Sequence, residues 1–198
     1  MEDKPDFKCV IVGHVDTGKT CLFDRICKGT FDPNTQSTLN FCGVKSIPIS
    51  IEEQNEPVTM SLWDTIGADQ FLTPTRQFTR NAGAAMICCS LNDADFDLEK
   101  AKFWTHIFIK DSPSCKLYLV GTKCDLPKQR AIDQKLQEYA DMYNACYIET
   151  SAKEDINVTS LVKLIARDWV ISGVKKVHKR SIDTFKLEET QNSNKKCC

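Results

Sequence analysis

Short, nearly continuous apolar runs occur at residues 7–12, 84–91 and 116–121. Strands of a parallel sheet are buried on both faces, so their sequences read as runs of this kind. Residues 98–109 and 128–143 instead show apolar positions at helical spacing. The clearest amphipathic stripe comes last, at Val158, Leu161, Val162, Ile165 and Trp169. Strands that alternate with helices predict a doubly wound α/β sheet.

Residues 44–51 and 58–63 alternate between apolar and polar positions, and residues 52–57 read as the turn of a hairpin that joins them. Pro48 has no backbone N–H to donate to a neighbouring strand. We therefore expect the first of these two strands at an edge of the sheet. Periodicity stops at Ser172, and the polar residues that follow predict a disordered tail over residues 173–198.

Residues 13–20, the phosphate loop, read Gly-His-Val-Asp-Thr-Gly-Lys-Thr and lie between the first apolar run and a helix-like segment. This spacing is the Walker A pattern. Gly13 and Gly18 let the backbone turn sharply and point successive N–H groups at a polyphosphate. Lys19 supplies a positive charge for the β and γ phosphates, and Thr20 supplies a hydroxyl ligand for magnesium. The helix that follows adds its positive dipole end.

The chain has 198 residues, of which 41% are hydrophobic and 27% charged, as is ordinary for one soluble globular domain. Its net charge of −1 gives no indication of nucleic acid, and we expect no such partner. Residues 173–198 carry seven Lys or Arg against three acids, which is +4 and leaves −5 on residues 1–172. A basic tail on an acidic body fits an anionic membrane surface, although charge alone fits a merely solvated tail equally well.

Eleven cysteines are present, but they form no Cys-x-x-Cys pair and follow no secretory signal. Neither a zinc site nor a disulfide framework is therefore expected. Several cysteines lie in apolar runs, where a thiol packs as a small hydrophobic group: Cys9, Cys21, Cys88, Cys89 and Cys146. This usage favours a reducing compartment. The chain also has no run of about 20 apolar residues, so we expect no membrane span.

Three further residues suggest ligands for a metal and a phosphate. Asp64 leaves an alternating strand and is placed to hold magnesium through water, while Gly67 can offer its N–H to a γ-phosphate. A strand that ends in an ordinary Asp-Thr turn accounts for the same residues equally well. Thr38, in a polar and irregular stretch, can lend a second hydroxyl to magnesium, but any loop threonine fits that description.

Residues 121–125 and 149–153 each follow an apolar run and suggest recognition of guanine. Asp125 can accept hydrogen bonds from guanine N1–H and the 2-amino group, whereas adenine leaves this carboxylate unpaired. The second segment can present backbone N–H groups to the guanine oxygen, with Lys153 beneath the base. Read alone, the same segment fits a helix cap with Ser151 as the capping residue equally well.

These motifs, in this order and spacing over residues 6–172, resemble a small GTPase of the Ras superfamily. The segments at residues 63–65 and 78–82 and the terminal Cys197-Cys198 are similar to the Rab branch of that superfamily. The resemblance implies a P-loop GTPase G domain. Such a domain is a single doubly wound, mostly parallel six-stranded sheet with helices on both faces and one antiparallel edge strand.

The resemblance also implies the residues of a site for GTP or GDP with Mg²⁺. The expected nucleotide contacts are Gly13, Val15, Asp16, Thr17, Gly18, Lys19, Thr20, Cys21, Phe31, Thr38, Asp64, Gly67, Thr122, Lys123, Asp125, Ser151, Ala152 and Lys153. The residues expected to act in hydrolysis are Lys19, Thr38 and Gly67. The expected magnesium ligands are Thr20, Thr38 and, through water, Asp64.

The function implied is a Rab-type molecular switch of vesicle trafficking, a monomer on the cytoplasmic face of an endomembrane with a cytosolic extracted pool. Its partners would be an exchange factor, an activating protein, a lipid-binding chaperone, and effectors that contact both switch regions together with Trp63 and Phe78. Cys197 and Cys198 resemble a double geranylgeranylation signal. One lipid chain anchors a protein only marginally, whereas two chains hold it stably.

Several positions depart from the family pattern. Ala68 stands where a glutamine that orients the attacking water is expected, and Val15 would crowd the space for that water and an arginine finger. Because hydrolysis depends on such positioning, we expect a low intrinsic rate and dependence on an activating protein. Thr122 replaces the usual asparagine. A hydroxyl has fewer hydrogen-bonding groups than an amide, so we expect fewer hydrogen bonds from this side chain to the phosphate loop. Gly43 replaces one of three effector-binding aromatic residues, for which Phe41 is a candidate substitute.

Three other interpretations stay open at this point. A GTP-locked or hydrolysis-deficient module on a membrane shares every motif and differs only in that it does not cycle. A translation elongation factor shares the phosphate loop but carries Asp-x-Pro-Gly-His in its second switch and has further domains. A nucleoside-type kinase shares the loop but does not explain Asp125 or residues 151–153. The nucleotide bound after purification separates a cycling switch from a locked one.

Overall fold

The computed structural model describes residues 4–35, 43–52, 54–67, 78–128 and 131–173, which form a six-stranded sheet. The strands are β1 (Phe7–Gly13), β2 (Val44–Ile49), β3 (Val58–Asp64), β4 (Ala84–Ser90), β5 (Lys116–Thr122) and β6 (Cys146–Glu149). Their order is β2-β3-β1-β4-β5-β6, and only the pair of β2 and β3 is antiparallel. The predicted mostly parallel six-stranded sheet with one antiparallel edge strand is confirmed.

Helices in the described residues cover both faces of the sheet. They are α1 (Lys19–Lys28), α2 (Leu98–Asp111), α3 (Ile132–Met142) and α4 (residues 158–173). Leu22 of α1 and Leu161 of α4 belong to the core on one face, whereas Trp104 of α2 and Leu136 of α3 belong to the core on the other. The doubly wound arrangement predicted from the alternation of strands and helices is therefore confirmed.

β2 lies at an end of the strand order, with Pro48 opposite Thr59 of β3. The edge position predicted from Pro48 is confirmed, because a residue without an N–H is tolerated where a strand has a neighbour on one side only. β2 ends at Ile49, two residues earlier than the alternating pattern predicts. The reason is a turn, in which the Gln54 N–H donates to the Ile51 carbonyl oxygen at 3.3 Å.

α3 begins at Ile132 rather than at residue 128, where the apolar pattern places its start. Ala131 has a left-handed backbone (φ 64°), which a right-handed helix cannot contain, so the helix starts after it. The apolar stripe of α4 packs into the core as predicted, and its partly buried Trp169 stacks on Phe7 with ring centroids 5.0 Å apart. No helix among the described residues is both long and apolar enough to cross a membrane.

The described cysteines are free thiols, and three of those in apolar runs are buried: Cys9, Cys88 and Cys89. Cys21 and Cys146 are half-buried. Burial raises the pKa of Cys89 to about 12, so this thiol stays protonated near neutral pH. These thiols therefore pack as small hydrophobic groups, as the apolar runs around them predict.

Some predicted features lie outside the described residues. They are Thr38, Phe41, Ala68, Cys197, Cys198 and the tail from residue 174 onward.

Candidate functional site

The carboxyl ends of the parallel strands β1, β3, β5 and β6 meet at one edge of the sheet, where doubly wound folds bind ligands. At this edge β1 ends at Gly13 and leads through the phosphate loop into α1. A Cβ on Gly13 would lie 2.5 Å from the Cys88 carbonyl oxygen, and Gly18 has φ 77° directly before α1. Both positions therefore require glycine, as the Walker A spacing predicts.

The phosphate loop folds around the carbonyl oxygen of His14. The buried Lys19 donates to this oxygen through Nζ at 2.6 Å, and Thr17 Oγ1 donates to it at 2.9 Å. A Cβ on Gly67 would overlap Lys19 Nζ and would lie 2.8 Å from the same oxygen. The Gly67 backbone therefore approaches the Lys19 ammonium closely, so that one phosphate group could contact both.

Two of the predicted magnesium ligands, Thr20 and Asp64, are in direct contact. Thr20 Oγ1 donates to Asp64 Oδ2 at 2.8 Å. Asp64 is 2% exposed, and its Oδ1 is buried without a hydrogen-bond partner among the described residues. Burial raises the pKa of Asp64, while the Thr20 hydroxyl and the Lys19 ammonium oppose this shift. A buried unpartnered carboxylate oxygen beside a hydroxyl fits a hard cation such as Mg²⁺, which prefers oxygen ligands.

A cleft of about 270 Å³, the base cleft, opens beside the phosphate loop. The predicted contacts that line it are Asp16, Gly18, Cys21, Phe31, Thr122, Lys123, Asp125, Ala152 and Lys153. The base cleft is also lined by residues for which the sequence predicted no contact: Leu22, Asp32, Pro33, Thr35, Leu126 and Thr150. Asp32 caps a turn by accepting from the Asn34 N–H at 2.9 Å. The Asp-Pro-Asn sequence is a signal that could have indicated this turn beside Phe31.

Thr122 joins the base cleft to the phosphate loop. Its buried Oγ1 lies 2.7 Å from the Thr17 carbonyl oxygen and 3.2 Å from the Cys89 carbonyl oxygen. A hydroxyl carries one proton, so the two carbonyl groups share a single donor. A second and more exposed contact joins the same segments, since Lys123 Nζ lies 3.1 Å from Asp16 Oδ2.

Ser151 forms hydrogen bonds within its own segment. Its N–H donates to the Ile156 carbonyl oxygen at 3.1 Å, and the Ile156 N–H donates back at 3.0 Å. The Ser151 N–H is therefore already engaged, which leaves the N–H groups of Ala152 and Lys153 as the candidates for the guanine oxygen in this segment. Ser151 Oγ instead accepts from the Glu154 N–H at 3.0 Å and closes a turn. The neighbouring Ala152 and Lys153 line the base cleft.

Two residues, Val15 and Ala68, are expected to affect hydrolysis. Val15 lies on the phosphate loop and is 40% exposed, while Ala68 lies outside the described residues. Their expected effect on the attacking water stays a prediction.

Aromatic residues form a partly exposed patch on β3 and after it. The rings of Trp63 and Phe78 have centroids 5.6 Å apart, and Lys8 Nζ lies 4.3 Å from the centroid of the Trp63 ring. Val44, which is 43% exposed, lies opposite Trp63 in the pairing of β2 with β3 and thus on the same face of the sheet. The patch therefore consists of two aromatic rings, an aliphatic group and a cation.

Gly43 is not part of this patch, which corrects the expectation that it marks the missing third aromatic residue. A Cβ on Gly43 would lie 2.8 Å from the ring of Phe23, which is buried on α1. Successive residues of a strand face opposite sides of the sheet, so Val44 and not Gly43 shares the side of Trp63. The glycine leaves room for the Phe23 ring.

Comparisons with known proteins agree over most of the chain. Residues 8–170 match the model of the Ras family. The chain is 30% identical over 203 residues to Ras-related protein Rab-24 of Dictyostelium discoideum, and the alignment covers 98% of each chain. It is 31% identical over 156 residues to Ras-related protein Rab-30 of Homo sapiens, which covers 78% of this chain and 75% of the relative. Residues 8–170, which match the Ras family model, include the phosphate loop and the residues that line the base cleft.

Proposed function

The chain belongs to the Ras family and is a small GTPase of the Rab type, and we propose that it is a slowly hydrolysing, membrane-tethered switch that binds GTP or GDP with Mg²⁺. The observation that carries this proposal is the arrangement at one sheet edge. Lys19 is buried in the phosphate loop, Asp64 has an unpartnered oxygen beside Thr20, and the base cleft holds Asp125. Lys19 suits a phosphate, Asp64 with Thr20 suits a cation, and Asp125 suits a nucleotide base.

Guanine is selected in the base cleft. Asp125 accepts from guanine N1–H and the 2-amino group, and adenine would leave the carboxylate unpaired at a cost of about 1–3 kcal/mol. The N–H groups of Ala152 and Lys153 donate to the guanine oxygen. Lys123 and Phe31, which also line this cleft, flank the base.

Magnesium would be held by Thr20, by Asp64 through water, and by Thr38. In the part of the chain that the structure describes, no cluster of three or more His, Cys, Asp or Glu side chains could hold a metal alone. Phosphate oxygens and water, which Mg²⁺ commonly retains, would supply the remaining ligands. When bound, Mg²⁺ neutralises charge on the phosphates, while Lys19 contributes a second positive charge on the protein side.

The switch follows from the γ-phosphate. Contacts from this group to Thr38 and to the Gly67 N–H order the segments that contain these two residues, beside the Trp63 and Phe78 patch, where effectors bind. Loss of the γ-phosphate releases both contacts. Ala68 has no group that could orient the attacking water, so an activating protein supplies an arginine and a glutamine in trans.

Membrane attachment uses the carboxyl end of the chain. Prenyl groups on Cys197 and Cys198 anchor the protein on the cytoplasmic face of an endomembrane, where an exchange factor and effectors meet it. Two lipid chains anchor a protein stably in a membrane, whereas one anchors it only marginally. A lipid-binding chaperone then extracts the protein to the cytosol. Transport of vesicles is the process in which we place this cycle.

The proposed slow hydrolysis is tested by single-turnover measurements on the GTP-loaded chain and on Ala68→Gln. A glutamine that orients water should raise the rate by roughly tenfold, which corresponds to about 1.4 kcal/mol of the barrier. Gln70 lies two residues after Ala68 and has no catalytic role in this proposal. Gln70→Ala is therefore the matched control and should leave the rate unchanged. Fast hydrolysis by the natural chain, with no effect of Ala68→Gln, would contradict the proposal.

A GTP-locked binding module is the second candidate, and the combination of Ala68 and Val15 favours it. Chromatography of the nucleotide released from the purified protein separates the two. Predominant GDP supports the cycling switch, and predominant GTP supports the locked module. A protein free of any nucleotide would indicate a degenerate site and contradict both.

A further inference from the structure

Arg25 of α1 contacts the segment that follows β6. Its Nε donates to the Ala152 carbonyl oxygen at 2.6 Å, and its Nη2 donates to the Lys153 carbonyl oxygen at 3.0 Å. Its Nη1 donates to the carbonyl oxygen of Gly29, the residue that caps the end of α1, at 2.6 Å. One guanidinium group thus holds three backbone oxygens, two of them in a segment 127 or 128 residues away along the chain.

These contacts fix the directions of backbone N–H groups as well as of carbonyl groups. A trans peptide holds its C=O and N–H antiparallel, and the Ala152 carbonyl shares its peptide plane with the Lys153 N–H. When Arg25 holds this carbonyl, the direction of that N–H is also fixed. The next peptide is held at both ends, because the Lys153 carbonyl accepts from Arg25 and the Glu154 N–H donates to Ser151 Oγ at 3.0 Å.

We propose that Arg25 is a positioning residue for base recognition. It holds residues 151–153, the base loop, in the position from which the N–H groups of Ala152 and Lys153 reach the guanine oxygen, an inference that rests on the proposed function. α1 begins with Lys19 and Thr20, the residues assigned to the phosphates and the metal. A helix rises about 1.5 Å per residue, so Arg25 lies only about 9 Å along the axis from Lys19. One rigid helix thereby sets the distance between the phosphate contacts and the base contacts.

The side chain chemistry explains why arginine suits this position. Its planar guanidinium presents several N–H donors in a fixed fork, so it can serve three carbonyl oxygens that lie in different directions. A lysine ammonium is a point donor on a flexible stem and cannot reproduce this geometry. Arg25→Lys therefore keeps the charge and the aliphatic stem while it removes the fixed spacing.

The test measures dissociation rates of GDP, 6-thio-GDP and IDP from the full chain and from Arg25→Lys. Sulfur accepts hydrogen bonds more weakly than oxygen, so the natural chain should release 6-thio-GDP faster than GDP. In Arg25→Lys we expect GDP release to be roughly tenfold faster, and the ratio of 6-thio-GDP to GDP rates should fall towards one. The ratio of IDP to GDP rates should stay unchanged, because Asp125 reads the 2-amino group that IDP lacks.

Lys28→Ala is the matched control, because Lys28 lies in the same last turn of α1 and carries the same charge. Its Nζ pairs with Asp24 at 2.8 Å, at the surface of the same helix. This variant should release all three nucleotides at the rates of the natural chain. Arg25→Gln, which keeps two N–H donors without the charge, gives a second measurement of the same ratios.

Two results would overturn the inference, and they can be told apart. If Arg25→Lys and Arg25→Gln lower the unfolding midpoint but keep the natural 6-thio-GDP to GDP ratio, Arg25 only stabilises the end of α1. If the natural chain binds GDP no better than ATP, base recognition itself is absent and the proposed function fails with the inference.

Discussion

Thr122 shows how one residue determines whether two loops stay together. Its hydroxyl is the buried group shared by the carbonyl oxygens of Thr17 in the phosphate loop and Cys89 in β4. The resemblance to small GTPases makes an asparagine the expected residue at this position, and the Thr122 hydroxyl provides a link to the phosphate loop. Thr122 therefore keeps the base cleft and the phosphate loop in contact through one buried hydroxyl.

Thr122→Val should destabilise the protein by about 1–3 kcal/mol, because it keeps the shape of the side chain but removes a buried donor from two carbonyl groups. GDP should also dissociate faster, since the phosphate loop loses its link to β5. Urea unfolding at saturating GDP and the dissociation rate of GDP measure the two effects. Thr122→Ser retains the hydroxyl and should behave like the natural chain. A valine variant as stable as the natural chain would show that the Thr122 hydrogen bonds contribute nothing to the free energy of unfolding.

At the scale of elements, α1 connects more of the site than any motif indicates. Its first residues, Lys19 and Thr20, lie at the phosphate loop, and Arg25 holds the base loop. Between them Phe23 packs under Gly43, directly before the edge strand β2. Loops at three places on the sheet edge are therefore positioned by a helix of 10 residues.

Gly43→Ala should destabilise the protein by about 1–3 kcal/mol, because the added Cβ would lie 2.8 Å from the Phe23 ring and force it out of a packed core. Phe23→Leu removes ring atoms and should partly relieve the clash. A double-mutant cycle, followed by urea unfolding at saturating GDP, measures the coupling between the two positions. Strictly additive effects of the two substitutions would contradict the packing described for this pair.

At the scale of the whole molecule, the site exists only because distant strands end at one edge. β1, β3, β5 and β6 each deliver a different segment there, and their parallel direction brings the carboxyl ends together. A ligand that bridges these segments adds contacts across the sheet edge that the unfolded chain cannot make. Nucleotide binding should therefore stabilise the entire fold.

GDP with Mg²⁺ at 1,000 times its dissociation constant should raise the free energy of unfolding by about 4.1 kcal/mol. ATP with Mg²⁺ at the same concentration should raise it far less, because Asp125 rejects adenine. Thermal unfolding at a series of nucleotide concentrations measures both. Equal stabilisation by the two nucleotides would show that the base cleft does not select guanine.

Local properties were sufficient to predict much of the fold. The continuous apolar runs indicated β1, β4 and β5, and Pro48 indicated an edge strand. The glycines of the phosphate loop indicated its sharp turn. Each of these signals depends on the side chains of a few neighbouring residues, which the sequence states directly. The predicted start of α3 was wrong because Ala131 has a left-handed backbone. Alanine favours helices, so its presence in the sequence gives no indication of this conformation.

The contacts within the site were decided by the tertiary structure alone. The sequence named Thr20, Asp64 and Ser151, but only the fold shows that the first two share a hydrogen bond and that the Ser151 N–H is already engaged. Nothing in the sequence indicated that Arg25 contacts the base loop or that the ring of Phe23 lies beside Gly43. A hydrogen bond requires two atoms within about 3 Å, and for residues far apart in sequence that distance depends on how the whole chain packs.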